Sequence, residues 1–481
     1  MSWETVIGLE VHVQLRTRTK MFCGDRTTFG DPPNTNVCPV CLGLPGALPV
    51  PNAEAIRLAT RAALALGCTI HETSVFARKN YFYPDLPKGY QISQFDKPLA
   101  TGGSLTFDSG ERGRIRVGIT RLHVEEDAGK LLHDRFPGKT AVDLNRAGIP
   151  LAEIVSEPDL RSPAEARAYL STLRQILVYA GVSDCSMEQG SLRVDANISI
   201  RRPGDSRLGT KAEVKNMNSF ANVERALEAE RARQISLVES GNPVEQVTLL
   251  FNAGTGQVKP TRSKEESHDY WYFPDPDLPP LTLTSAWIAE QRAALPELPD
   301  AKRGRLEAEY ALPTYDARVL TSEPELAHYF ESVVQAGVDP KTAANWVMGD
   351  VMTTYNERGA FPVAPERLGQ LIGLVSRGAL SHQAAKRVYG ELSKTPTDDP
   401  AAVAERLGLT QVSDQGALTG WVDQVISAHP GEVSRFLNGE TKLMAFFVGQ
   451  VMKRSKGKAD PKGVQPLLQE RLRQTAESES R

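Results

Sequence analysis

Apolar and polar residues alternate in four stretches of the first half of the chain. In 6–15, Leu9, Val11, Val13 and Leu15 fall on one side and Glu10, His12 and Gln14 on the other. In 118–130, Thr120, Leu122 and Val124 share a face, and Arg121, His123, Glu125 and Asp127 share the opposite one. In 191–200, Leu192, Val194, Ala196, Ile198 and Ile200 oppose Arg193, Asp195 and Asn197. A shorter stretch, 211–218, sets Lys211, Glu213 and Lys215 on one side. A period of two predicts strands with one buried and one polar face, the pattern of an antiparallel sheet.

Helices are predicted between these strands. Ser162 suits an N-cap, Pro163 the first turn, and Glu165 stands three residues after the cap. Ala166, Tyr169, Leu173, Ile176, Leu177 and Ala180 follow at helical spacing, and Gly181 suits a left-handed stop. A second helix, about 219–241, is dense in Glu and Arg and reads as a solvated face. The proline-rich run 273–280 reads as a linker or an ordered extended loop. Beyond it the period becomes helical, as in 324–336 and 340–357. No repeat of solenoid length is visible.

Composition narrows the class. With 481 residues, about three domains are expected. The 56 basic and 59 acidic residues give a net charge of −3, which argues against a protein coated with nucleic acid over its whole surface. No apolar run is long enough for a spanning helix, and the start has no basic and apolar leader pattern. A cytoplasmic protein is expected. The five cysteines fit reduced or metal-bound thiols better than disulfides.

The polar faces carry the candidate chemistry. A merely wet sheet face is usually Thr, Lys, Gln and Ser, whereas these combine carboxylates, imidazoles and arginines. If the strands adjoin, Glu10, Glu125, Asp127 and Asp195 crowd together and repel unless cations intervene. Mg²⁺ is the favoured ion, because it bridges to substrate phosphates. Lys79 and Lys88 are candidate cations for phosphoryl transfer. No glycine-rich phosphate loop is present, so ATP would sit on the sheet, and Gly254-Thr255-Gly256 reads as a hairpin turn. No serine-centred amidase segment or nucleophile elbow occurs.

Cys38-Pro39-Val40-Cys41 follows Cys23 by fifteen residues. Three thiols are one short of a zinc knuckle, with Asp25 a poor fourth ligand, so zinc and a metal-free loop both stand, and redox chemistry is disfavoured. Cys68 and Cys185 read as buried apolar residues. The run Tyr270-Trp271-Tyr272-Phe273 reads as core packing, with base stacking the functional alternative. Near the end, Lys453, Arg454, Lys456, Lys458 and Lys462 face only Asp460. This is either a solvated tail or a phosphate-contacting patch.

Several stretches together resemble one family. These are Ile7 to Leu15, Cys38 to Gly46, Lys79 to Gln91, Glu125 to Lys130, Glu153 to Asp159, Arg193 to Asn197, and the tail with Gly449-Gln450-Val451-Met452-Lys453. They look like GatB, the activating component of the tRNA-dependent amidotransferase, over the whole length and in the family's order. The resemblance implies an α+β architecture: a glutamine synthetase-like antiparallel-sheet cradle (1–293), an all-α helical domain (294–407) and a small α-helical tail domain that binds tRNA (408–481). It implies ATP-dependent phosphorylation of the side-chain carboxylate of Asp-tRNA(Asn) or Glu-tRNA(Gln), then amidation by ammonia. Its partners would be a glutamine-hydrolysing amidase and a small third protein, together forming the GatCAB heterotrimer. Glu10, His12 and Glu125 resemble the Mg²⁺ and phosphate site, and Lys79, Glu153 and Asp195 resemble further catalytic residues. Lys79, Lys88, Asp127, Arg193 and Lys211 are the expected ATP-binding set, and Lys453, Arg454, Lys456 and Lys458 the expected tRNA contacts. Asp25 stands where members with an intact knuckle carry a cysteine, which puts zinc on Cys23, Cys38 and Cys41 in doubt. Two other readings are a tRNA-holding scaffold with an inert cradle and a ligase for a free amino acid.

Overall fold

The computed structural model describes residues 3–263, 270–410, 415–455, 459 and 461–479. The chain is mixed α/β, with a large, mostly antiparallel sheet and many helices. It divides after Ala301 into two compact units.

The first unit is built on a ten-stranded sheet. Its main path runs Gln257–Ser263, Val247–Asn252, Ala212–Lys215, Leu192–Arg201, Glu4–Gln14, Pro150–Ser156, Arg114–Glu126, Ala100–Thr101, Thr69–Ile70; Ser104–Asp108 also pairs with Arg114–Glu126. Among the described residues, only Ala212–Lys215 and Val247–Asn252 pair in parallel. The first strand is therefore central, between partners about 140 and 190 residues away. Its Ile7, Leu9, Val11 and Val13 are buried, together with Ile154 and Val194 of its neighbours and Leu122 one strand further out. Helices Ala53–Ala65, Pro163–Tyr179 and Phe220–Glu239 supply Leu58, Leu173 and Leu227 to the same core. The polar faces are left on the other side.

The capping signals act as expected. Ser162 Oγ accepts from Glu165 N at 3.2 Å, and Gly181 ends that helix at φ +68°. Glu165 bonds back to Arg161 N at 2.7 Å and pairs with Arg112 at 2.6 Å. Ser219 caps the next helix through Asn222 N at 3.1 Å. That helix is not solvated all round. Glu230 and Gln234 are fully buried, with Glu230 held by Arg233 at 2.7 Å and Gln234 donating to Ile198 O at 3.1 Å. A buried carboxylate is tolerable when it is paired in this way.

Strand ends differ from the alternation reading. The strand expected to reach residue 130 stops at Glu126, where Asp127 N turns to Ile149 O at 2.8 Å. A separate hairpin, Lys130–Phe136 and Lys139–Asp143, follows. The strand expected over 211–218 is only Ala212–Lys215; Asn216, at φ +66°, breaks it. The glycines at 254 and 256 close a hairpin between Val247–Asn252 and Gln257–Ser263.

The proline-rich run is ordered. Trp271–Pro274 pairs with Ala77–Asn80, which pairs with Tyr90–Ser93, and Arg78 grips Asp275 at 2.9 Å and Asp277 at 2.8 Å. Trp271 and Phe273 are exposed, contrary to the core-packing expectation. Their strand is the edge of this small sheet, and the two rings point away from the core.

In the second unit, helices Pro324–Gln335, Pro365–Ser376, His382–Leu392 and Pro400–Arg406 pack around Phe330, Trp346, Leu371 and Val388. The helical stretch 340–357 is interrupted by a π-turn, Val347–Val351, between Pro340–Trp346 and Met352–Arg358. Gln415–Ala428, Pro430–Leu437, Leu443–Arg454 and Pro461–Glu479 share another apolar cluster, including Val422, Phe447, Val451 and Leu468. Among the described residues, no helix is long and apolar enough to cross a membrane.

Ile154 is fully buried on the strand next to the first. Ile154→Ala should destabilise the first unit by about 2–5 kcal/mol. Urea unfolding followed by circular dichroism should show its transition at lower denaturant; an unchanged midpoint would contradict this packing.

Candidate active site

Register converts the alternation into a row. His12 lies opposite Glu153 on one side and Arg193 on the other, and Glu153 lies opposite His123. Strands about 4.8 Å apart thus carry His123, Glu153, His12 and Arg193 side by side. Glu125 projects from the same face of its strand. His12 Nε2 is 3.3 Å from Glu153 and 3.6 Å from Glu125, and His123 Nε2 is 3.3 Å and 3.4 Å from the same two carboxylates. Ser93 Oγ donates to Glu125 at 2.9 Å. Two buried carboxylates are thereby bridged by two imidazoles.

The electrostatics follow. Burial opposes charge on His123, but hydrogen bonds to Glu125 and Glu153 outweigh it and raise its pKa to about 9. Burial likewise opposes charge on His12, and Glu153 and Glu125 again raise it. Burial would raise Glu125 and Glu153; the histidines instead hold both below the usual carboxylate range. Glu10 behaves oppositely. Burial, with Glu153, Glu213 and Asp195 nearby, pushes its pKa up despite a 3.0 Å bond from Asn197. His12, Glu125 and Glu153 offer donor atoms all within 4.8 Å of one another, a set able to hold a metal ion.

Lys79 is brought to this face. Burial disfavours its charge, yet Glu125, Tyr272 and Tyr270 raise its pKa, and its Nζ lies 4.6 Å from the Tyr270 ring centre. Lys88 is engaged elsewhere, in a buried ion pair with Glu126. Asp127 and Arg193 pair with each other at 2.9 Å, joined by Arg146 at 3.6 Å and Gln14 at 3.1 Å. Burial would raise Asp127, but the two guanidiniums keep it low. Asp195 pairs with Lys215 at 2.9 Å, and Lys215 reaches Glu213 at 3.1 Å. Lys211 precedes its strand and, with Glu10 and Asn197, lines a cavity of about 290 Å³. His123, Ser93 and Lys215 were not among the expected site residues. Alternation already set His123 and Lys215 on polar faces; nothing local marked Ser93.

The cysteine loop forms a second cluster. Cys23 and Cys41 sulfurs are 3.5 Å apart, Cys38 and Cys41 3.8 Å, and Asp25 Oδ2 lies 3.1 Å from Cys41 and 3.5 Å from Cys23. Fully buried Lys20 donates to Cys41 at 3.4 Å. The Cys23 hydrogen bond, with Lys20 nearby, lowers the Cys41 thiol to about 6 despite burial. Cys68 and Cys185 are buried, as expected. Lys453 and Arg454 end the helix Leu443–Arg454, both exposed, with Arg454 donating to Gln424 at 2.8 Å. Lys456 and Lys458 lie outside the described residues.

Known proteins share this sequence over nearly its whole length. A family described as the GatB/GatE catalytic domain matches residues 5–289, and one described as the GatB domain matches residues 328–472. The chain is 52% identical over 480 residues to the B component of the aspartyl/glutamyl-tRNA(Asn/Gln) amidotransferase of Geobacter sulfurreducens, covering 98% of this chain and 100% of that protein. It is 50% identical over 476 residues to the protein of the same name from Prosthecochloris aestuarii, covering 98% of each. The Moorella thermoacetica counterpart is 52% identical over 478 residues, covering 98% of this chain and 100% of that protein. The chain therefore belongs to the GatB family, the B components of aspartyl/glutamyl-tRNA(Asn/Gln) amidotransferase.

Proposed function

We propose that the first unit is a glutamine synthetase-like cradle whose polar face uses ATP to phosphorylate the side-chain carboxylate of Asp-tRNA(Asn) or Glu-tRNA(Gln). The observation that carries this reading is the His12, Glu125 and Glu153 cluster with Lys79 beside it. A carboxylate oxygen of the substrate attacks the γ-phosphorus, the bond to the β-phosphate oxygen breaks, and ADP leaves. Ammonia then attacks the acyl carbon, phosphate is expelled, and one proton is lost as the amide forms.

The residues divide this work. His12, on giving up its proton, would hold Mg²⁺ with Glu125 and Glu153, whose donors all lie within 4.8 Å of one another; Glu10, expected as a ligand, is not among these converging donors, and when bound the ion supplies positive charge against the phosphate oxygens. Lys79 stays protonated among carboxylates and offsets charge on the transferred group. Asp127 holds Arg193, and Asp195 holds Lys215, as fixed cations along the row. Lys211 lines the Glu10 cavity, where nucleotide polar groups would lie. Glu10, with its raised pKa, is the carboxylate suited to take the proton from incoming ammonium.

The ammonia comes from glutamine hydrolysed by a partner amidase, held with a small third protein in a heterotrimer. Residues 294–407 and 408–481 form a helical domain and a tail that holds tRNA through Lys453, Arg454 and the following lysines. The complex serves translation in the cytoplasm. An inert scaffold is the weaker reading, because burying two carboxylates and two imidazoles without chemical use is costly. Zinc fits the cysteine loop, with Asp25 Oδ2 completing a four-donor set with Cys23, Cys38 and Cys41.

In the reconstituted complex, Glu125→Gln and His12→Ala should each slow transfer of the γ-phosphate to the charged tRNA by about 100-fold or more; unimpaired amide formation would end the catalytic reading. Activity on a free amino acid without tRNA would select the free-amino-acid ligase instead. The purified chain should carry one equivalent of zinc, lost in Cys38→Ser and retained in Asp25→Cys. Mass spectrometry that finds no metal in the unmodified chain would overturn that assignment. Replacing Lys453 and Arg454 together with alanine should weaken tRNA binding and flatten the slope of log K against log salt by roughly 1.4–1.8. An unaltered slope would remove both from the interface.

A further inference from the structure

We propose that Tyr81, Tyr270, Tyr272 and Phe95 form a stacking platform for the unpaired bases at the acceptor end of the charged tRNA. This rests on the reading of the site as one that phosphorylates a tRNA-borne carboxylate. The small sheet of Ala77–Asn80, Tyr90–Ser93 and Trp271–Pro274 adjoins the carboxylate cluster, since Ser93 Oγ reaches Glu125 at 2.9 Å. Its register sets Tyr272 opposite Lys79, and Lys79 opposite Gln91. Alternation puts Ser93 on that same face, and Tyr81 and Tyr270, two residues from Lys79 and Tyr272, continue it.

The rings are arranged as a surface. Phe95 and Tyr272 stack with centroids 4.1 Å apart and planes within 13°. Tyr270 meets Tyr81 at 5.7 Å and Tyr272 at 6.5 Å, both edge-on. Phe95 is 50% and Tyr270 47% exposed. Exposed apolar rings gathered at one place mark a binding surface. One adenine covers one or two rings, whereas these rings form a chain from Phe95 through Tyr272 and Tyr270 to Tyr81. That extent matches a run of unpaired nucleotides, each with a π-face. The occupant is fixed by continuity with the reaction site. The amino acid is esterified to the terminal ribose, so its side-chain carboxylate reaches Glu125 only when the last bases lie beside it. Lys79, over the Tyr270 ring, stands at the junction of platform and cluster.

The test uses the complex and a charged tRNA with 2-aminopurine as its terminal base. Stacking quenches this fluorophore and reports the platform without requiring turnover. Strong quenching is expected with the unaltered protein and with Tyr272→Phe, which keeps the ring. Quenching should be lost in Phe95→Leu and Tyr272→Leu, while the tRNA still binds, about tenfold more weakly. Equal quenching in the leucine variants, or none in the unaltered protein, would overturn the proposal. Loss of quenching on saturation with ATP would also overturn it, by assigning the rings to the nucleotide's adenine. Quenching without phosphoryl transfer would fault the catalytic reading and leave the platform standing.

Discussion

Two carboxylates, Glu125 and Glu153, are buried within reach of the same two imidazoles, and the rest of the first unit is arranged around that constraint. Side by side in a weakly screened interior, two anions repel strongly. His12 and His123 make the arrangement tolerable, and the exchange is mutual: the carboxylates hold the imidazoles charged, and the imidazoles hold the carboxylates ionised. The arrangement requires three strands in fixed register. A slip of one residue would turn each of these groups into the apolar core.

Neighbouring residues on one strand divide the labour. Glu125 faces the cluster, while Glu126 faces the other way and fastens the small three-stranded sheet. Its carboxylate takes Ile92 N at 2.9 Å and pairs with Lys88, and its carbonyl oxygen accepts from Gln91 at 2.6 Å. That fastening delivers Lys79 and its aromatic companions to the site. Lys88 is thus part of the scaffold that carries Lys79, its ammonium paired with Glu126. Asp127 has a similar place at the strand's end, where it is buried and fixes Arg193 and Arg146.

The near-neutral total charge conceals this layout. Glu125, Glu153, Asp127 and Asp195 share the sheet face, each with a cation or an imidazole beside it. Exposed Lys453 and Arg454 close a helix of the second unit, whose C-terminal dipole end favours them.

Much of this was legible along the chain. The period of two placed Glu10, His12, His123, Glu125, Arg193 and Asp195 on polar faces, because side-chain direction in a strand depends only on residue parity. Ser162 and Gly181 marked helix ends, because caps are local. What the sequence left open were the long-range pairings. Placing the first strand between two others far along the chain made one row of residues that no local spacing relates. The same tertiary pairing drew Ser93 to Glu125, bound Lys88 to Glu126, closed Asp25 onto three thiols, and left Trp271 on an exposed edge. Parity and capping are properties of the backbone at one residue. Which charge meets which is decided only when distant strands adopt a common register.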